Sequence, residues 1–335
     1  MTDKPIVGIL LGDAAGVGPE IVAKLTVMKF YDEYCRPVLI GDARVLDRAY
    51  GAIGETARYS TFDSIDEVNW DNGYPLLDQK DVDPEQIPFG KITVLGGASV
   101  LNMLSLAVNL YKEGKIHGFC FAPFNKGGMK DAGCKFESEH HYMADLFGHT
   151  DPFGEINVLG DLWTTRTTSH IPIKDVSKNL SVDTILRAIR LAHASLKNSG
   201  VADPHLGLCA LNPHAGEEGR CGTEEIEVIA PAIKKANEMG INASGPYPSD
   251  ITFIKAFNGD FDGVVTMYHD QGQIALKLKG FDQGITIAGG LPAPIATCAH
   301  GTAYDIAGKG IVKTSAFENA VKMVSRMAKH ILSTK

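Results

Sequence analysis

The sequence predicts an α/β fold on a mostly parallel sheet, and three observations carry that expectation. Short apolar runs alternate with amphipathic helical stretches along the whole chain. The runs read as strands buried on both faces, as parallel strands between helices are. Several of them end in polar clusters, where such folds gather their ligands.

Taken in order, PIVGILLGD reads as a strand and PEIVAKLTVMKFYDEY as the helix after it. RPVLIGD is a second strand, followed by a helix from about Ala43. ASVLNMLSLAVNLYKEGK is a strong amphipathic helix, and HGFCFAPFNK the strand it feeds. A Pro-containing polar patch at 78–90 is a surface excursion. EINVLGD is another strand. SVDTILRAIRLAHASLKNSG is a helix with a Ser start signal and a Gly stop. HLGLCALNP is a strand, EEIEVIAPAIKKANEMG a helix, and FDGVVTMYHD a strand with a polar end. GTAYDIAGKG precedes a last helix, SAFENAVKMVSRMAKHIL.

Composition narrows the function. The chain has 335 residues, 44% of them hydrophobic, which suits a large core and two domains. Net charge is −8 with no Lys/Arg block, so neither nucleic acid nor membrane is an expected partner. The start MTDKPIVGILLGD lacks the pattern of a signal peptide, and no apolar run reads as a bilayer span. Cys35, Cys120, Cys134, Cys209, Cys221 and Cys298 are scattered, with no C-x-x-C. They read as reduced thiols in a cytoplasmic protein.

Residues 135–151, KFESEHHYMADLFGHTD, hold three histidines and four acidic residues. His140 and His141 would point about 100° apart on a helix, so a shared ion is a poor fit. Metal site, substrate site and solvated helix face all stay open there. GDAAGVGPE at 12–20 is a Gly-rich strand-to-helix turn that could offer N–H groups to an anion, or be a plain tight turn. His170, His214 and His269 each follow a strand or sit in a loop. Three neutral imidazoles could hold a divalent ion and leave coordination open for substrate, although each alone could be a hydrogen-bonded loop histidine. GGLPAP at 289–294 and HGTAYDIAGKG at 300–310 could bind a nucleotide through backbone groups, or be ordinary turns.

The set GDAAGVGPE, PFNKGGMKDAG, NPHAGEEGRCGTEE, PSDITF, YHDQGQIALK and HGTAYDIAGKG resembles the 4-hydroxythreonine-4-phosphate dehydrogenase family, across nearly the whole chain. HGTAYDIAGKG is also similar to the cofactor loop of isocitrate and isopropylmalate dehydrogenases. The resemblance implies two α/β/α domains with a central cleft, here 1–125 plus 285–335 for the cofactor and 126–284 for metal, substrate and dimerisation. It implies a homodimer with a shared active site, and NAD- or NADP-linked oxidation of a secondary alcohol β to a carboxylate, with decarboxylation. The implied metal ligands are His170, His214 and His269, the last from the neighbouring subunit. Zn²⁺ suits three imidazoles; Mg²⁺, Mn²⁺ or Co²⁺ are alternatives. Asp250, Asp270 and Lys277 match substrate-pocket positions and are the candidates for proton transfer. Gly289, Gly290, Leu291, His300, Gly301, Thr302, Ala303 and Asp305 would hold the nicotinamide cofactor.

Four positions depart from the family pattern. Glu139 and His140 stand where the family has a phosphate-binding His-Thr, Thr286 replaces an Asn, and Ile295 replaces an Arg. Losing an Arg fork and adding a carboxylate both weaken the case for a phosphate dianion. The alternative substrate is therefore a non-phosphorylated acid, such as a carboxylated aromatic cis-dihydrodiol. A phosphate acyltransferase or a non-catalytic metal-binding protein would be different classes altogether.

Overall fold

The computed structural model describes residues 4–280 and 282–334. The chain divides into two compact units, Met1–Thr150 with Leu291–Lys335, and Asp151–Gly290. The breaks thus fall at 150 and 290, against the sequence expectation of 125 and 284.

The first unit contains β1 (Ile6–Leu10), α1 (Gly18–Val27), α2 (Tyr31–Tyr34), β2 (Arg36–Gly41), α3 (Ala43–Ile53), β3 (Tyr59–Phe62), β4 (Tyr74–Asp78), α4 (Val94–Lys112), β5 (Phe119–Phe121), α5 (Lys126–Asp131) and α6 (Glu139–Phe147). The second contains β6 (Gly154–Leu159), β7 (Leu162–Arg166), α7 (Val182–Asn198), β8 (Leu206–Cys209), α8 (Ala230–Glu238), β9 (Ala243–Tyr247), α9 (Ser249–Phe257), β10 (Gly263–Thr266), α10 (His269–Gly280) and β11 (Ile285–Gly289). β12 (Ile295–Cys298) and α11 (Ser315–Thr334) return to the first unit. α5 and α6 both pack on α4, which is why they belong to the first unit.

In the first unit the strands run β3-β4-β2-β1-β5-β12, every pair parallel. Buried Val, Ile and Leu side chains fill both faces, as helices on either side require. The expected helix over PEIVAKLTVMKFYDEY breaks in two, because Lys29 adopts a left-handed φ of 53°. α4 is long and apolar enough to cross a membrane by length and composition, with a mean hydropathy of 1.5. That corrects the sequence reading of no such run. Half of it is buried in the unit, with Val100, Met103, Leu104 and Ala107 turned inward, as in a core helix.

In the second unit the order is β11-β6-β7-β10-β8-β9. β6 is antiparallel to both β11 and β7, while β7, β10, β8 and β9 are mutually parallel. The antiparallel step follows from a two-residue hairpin, Gly160–Asp161, with Gly160 at a φ of 59°. Ser181 caps α7, its hydroxyl accepting from Thr184 N at 3.1 Å, as the sequence signal foretold. All six cysteines are unbonded, and burial pushes the Cys35 and Cys209 thiols up to about 12.

Candidate active site

The second unit sets the three histidines after neighbouring strands of its sheet, and of the three only His170 and His269 are in ring contact among the described residues. β7, β10 and β8 are consecutive parallel neighbours, so their carboxyl ends lie together. His170 follows β7, His269 follows β10 and opens α10, and His214 follows β8. The rings of His170 and His269 lie 5.3 Å apart within a single chain. The His269 Nδ1 faces Asp270 Oδ1 at 2.6 Å. A carboxylate there holds the proton on Nδ1 and leaves Nε2 for an electrophile.

Each strand end is locked by groups the sequence reading did not single out. Gln271 Oε1 accepts from Met267 N at 2.7 Å, while its Nε2 donates to Ala210 O and Ser249 Oγ, both at 2.7 Å. One side chain thereby ties the end of β10 to the end of β8 and the start of α9. Thr168 Oγ1 donates to Met267 O at 2.7 Å, extending the β7–β10 pairing toward His170.

The His214 loop is an unusual conformation. His214, Ala215, Gly216, Glu217 and Glu218 all have positive φ, from 44° to 78°. Left-handed backbone costs non-glycine residues about 1–2 kcal/mol each, so the surroundings must enforce it. Glu225, 3% exposed, anchors the entry to this stretch: its Oε1 accepts from Leu211 N and Asn212 N, both at 2.8 Å. Asn212 Nδ2 donates to Glu224 and Glu225 at 2.6 and 2.9 Å. Hydrogen bonds from Ser177 and Asn212 hold the Glu224 carboxyl below its ordinary range. The string TEE was visible in the sequence, but nothing in spacing marked its second Glu as a buried brace.

The other candidates divide. Asp250 is exposed at the start of α9, where its carboxylate accepts from Ile251 N at 3.1 Å. Lys277 is exposed on α10, two turns beyond His269 and near its helical face. Thr286 is half-buried on β11 and accepts from Asn157 Nδ2 at 3.1 Å. Gly289 and Gly290 serve packing: an added Cβ would meet Ile156 Cδ1 at 2.5 Å and Pro152 O at 2.4 Å respectively.

In the first unit Leu291 is buried and Ile295 fully so, paired with Phe119, and Ile295 gives a ligand nothing to touch. Glu139 and His140 open α6 and are buried, not solvated. Glu139 Oε2 pairs with Lys126 Nζ at 2.9 Å, and Oε1 lies 3.6 Å from His140 Nδ1. A buried carboxylate with a cationic partner thus occupies the start of this helix.

His300, Gly301, Thr302, Ala303 and Asp305 form one loop, with Gly301 and Asp305 exposed and open space around Gly301. The GDAAGVGPE turn holds this loop rather than offering free N–H groups. Val17 N donates to Thr302 O at 3.1 Å and Gly16 N to Asp13 O at 3.0 Å. Glu20, 1% exposed, accepts from Gly308 N at 2.6 Å and Gly310 N at 2.8 Å. Tyr304 Oη donates to Asp13, whose carboxyl burial pushes above its ordinary value.

Comparison with known proteins agrees with this arrangement. The model of the pyridoxal phosphate biosynthetic protein PdxA family matches residues 33–324. A Pseudomonas aeruginosa protein provisionally named 4-hydroxythreonine-4-phosphate dehydrogenase 2 is 43% identical over 330 residues, 97% of this chain and 98% of that one. A D-threonate 4-phosphate dehydrogenase from Cupriavidus necator is 35% identical over 325 residues, 97% of each chain. A 4-hydroxythreonine-4-phosphate dehydrogenase structure from Burkholderia phymatum superposes with TM-score 0.83 at 35% identity, covering 97% and 98%. A terephthalate 1,2-cis-dihydrodiol dehydrogenase structure from Burkholderia xenovorans gives TM-score 0.66 at 26% identity, covering 96% and 98%. These neighbours bear out the expected α/β class. The chain belongs to the PdxA family of dehydrogenases.

Proposed function

We propose that the protein is a divalent-metal-dependent, NAD- or NADP-linked dehydrogenase that oxidises a secondary alcohol β to a carboxylate, with loss of carbon dioxide from the product. The observation that carries this reading is the placement of His170, His214 and His269 beyond the carboxyl ends of three adjacent parallel strands. The chemistry of the donors supports the reading: three imidazoles suit a zinc-type ion, the His170 and His269 rings lie 5.3 Å apart, and a carboxylate sits on the far nitrogen of His269. When bound, the metal would lower the pKa of the substrate hydroxyl and the nicotinamide would accept hydride.

The chain's own residues divide the remaining work. Asp270 orients His269. Asp250 is engaged by the first turn of its own helix. Lys277, exposed near the His269 face of α10, is assigned proton transfer and charge complementarity at the acid. The 300–310 loop, pinned at Tyr304 by Asp13 and at Gly308 and Gly310 by Glu20, is assigned the cofactor. We infer a cytoplasmic homodimer with a shared site, with neither nucleic acid nor membrane as partner. Exposed Ile251, Ile254, Ile274 and Leu278 on α9 and α10 support an apolar contact with a second copy.

Relatives acting on phosphorylated hydroxy acids favour that substrate class. One observation favours a second reading, a non-phosphorylated acid: buried Glu139 opens α6 and takes up Lys126 as its ion-pair partner, so that cation is committed to a carboxylate of the chain. Turnover assays on metal-loaded protein, followed by the absorbance of reduced nicotinamide, would separate the two. The panel contains 4-hydroxythreonine 4-phosphate, D-threonate 4-phosphate and carboxylated aromatic cis-dihydrodiols. Turnover of the phosphorylated acids alone supports the first reading, and of the diols alone the second. Full activity of His214→Ala contradicts the metal scheme.

A further inference from the structure

We propose that Arg166 is a positioning residue that holds the carriers of His170 and His269 in one arrangement, an inference that rests on the metal reading above. Arg166 closes β7, and its side chain is 8% exposed. Asn157 on β6 faces Thr164 on β7 and Thr286 on β11. Extending that register by two residues sets Arg166 across from Glu155. One sheet face therefore carries Glu155, Asn157, Arg166 and Thr286, which is what the alternation of strand side chains dictates.

The guanidinium uses all three of its nitrogens. Nε donates to Ser169 Oγ at 2.9 Å, Nη1 donates to Asn157 Oδ1 at 2.8 Å, and Nη2 donates to Glu155. Each bond restrains a different piece of the site. Ser169 directly precedes His170, whose φ of 51° needs outside support, and its hydroxyl lies 3.5 Å from His170 Nδ1. Asn157 Oδ1 also accepts from Gln273 Nε2 at 2.6 Å. Gln273 lies one helical turn past His269 on α10, so this bond fixes the rotation of the helix that presents His269. Glu155 offsets the buried charge of the guanidinium. A lysine has one ammonium head and could not hold three such acceptors in a plane.

The test is a set of full-length variants: Arg166→Met, Arg166→Lys, Ser169→Ala and Asn157→Ala. Two quantities are read for each. One is Co²⁺ affinity with the visible Co²⁺ spectrum; the other is the ¹⁵N resonances of the His170 and His269 rings in metal-free protein. Arg166→Met is expected to weaken Co²⁺ about 10–100-fold, alter the spectrum and move both rings. Arg166→Lys should rescue little. Ser169→Ala should move mainly His170, and Asn157→Ala mainly His269. A folded Arg166→Met with wild-type affinity, spectrum and ring resonances overturns the proposal. If that variant does not fold, the two limb variants decide by the same criteria. If wild-type protein binds no Co²⁺, the metal reading falls, while the ring resonances still decide the positioning.

Discussion

Two glycine-rich loops leave strand ends in this molecule, Gly12–Gly18 in the first unit and Pro213–Gly219 in the second, and their fates are opposite. Every residue from 11 to 20 is buried. Three N–H groups of that turn, those of Ala15, Gly16 and Val17, are taken by Asp13 and Thr302, and an added Cβ at Gly18 would lie 2.5 Å from Leu11 O. In the second loop His214 is exposed on left-handed backbone, and an added Cβ at Gly219 would meet nothing closer than 3.7 Å. One loop is a clamp and the other a presenter. What they share is a buried glutamate, Glu20 in the first case and Glu225 in the second, that accepts two backbone N–H groups. Glycine content after a strand thus says that backbone approaches closely, and not whether the close neighbour is the chain itself or a ligand.

The largest effects should come from removing the two braces. Glu20→Ala and Glu225→Ala each strand two half-buried donors, at about 1–3 kcal/mol per group, so about 2–6 kcal/mol of stability in urea unfolding. They should part in binding: Glu225→Ala lowers Co²⁺ affinity and spares the nicotinamide, while Glu20→Ala does the reverse. Equal losses of both ligands in both variants would break the comparison. Next come the glycines. Gly18→Ala must displace backbone and should lose about 2–3 kcal/mol. Gly219→Ala makes only ordinary van der Waals contact, at a φ of 91°, and should lose only about 1 kcal/mol. A reversed order would mean the clamp is looser than its contacts indicate.

The smallest effect is in pH, and its sign differs between the loops. Burial raises the Asp13 carboxyl, so the folded state holds that proton longer than the unfolded chain. Its contribution falls as pH rises from the ordinary aspartate value through the raised one, and Asp13→Asn should flatten that slope. Hydrogen bonds lower Glu224, so its contribution is present above the ordinary glutamate value and is lost as pH falls through the lowered one. Glu224→Gln should flatten the acid limb. Parallel pH slopes for the two variants would contradict the assignment.

The architecture was legible wherever local pattern decides it. Val- and Ile-rich runs became strands, and Ser181 capped its helix. The antiparallel β6 was hidden, because Gly160–Asp161 joins EINVLGD to LWTTR and only pairing reveals that the second run is a strand. His214 and His269 were noticed because each follows a run read as a strand, whereas His170 was read as a loop histidine, its strand β7 emerging only from the pairing. Arg166, Asn157, Gln271 and Glu225 were not noticed, since each acts through partners between 3 and 116 residues away in sequence. The exchange at 139–140 was read from the string, but not the burial of both residues or the Lys126 ion pair.

The most direct test of the central claim is the binding of Co²⁺ to the full chain and to His170→Ala, His214→Ala and His269→Ala, read by stoichiometry and by the visible spectrum. The account predicts one ion per chain in the wild type. Each variant should lose the band and at least 100-fold in affinity, about 2.7 kcal/mol. Wild-type binding in all three variants would contradict it.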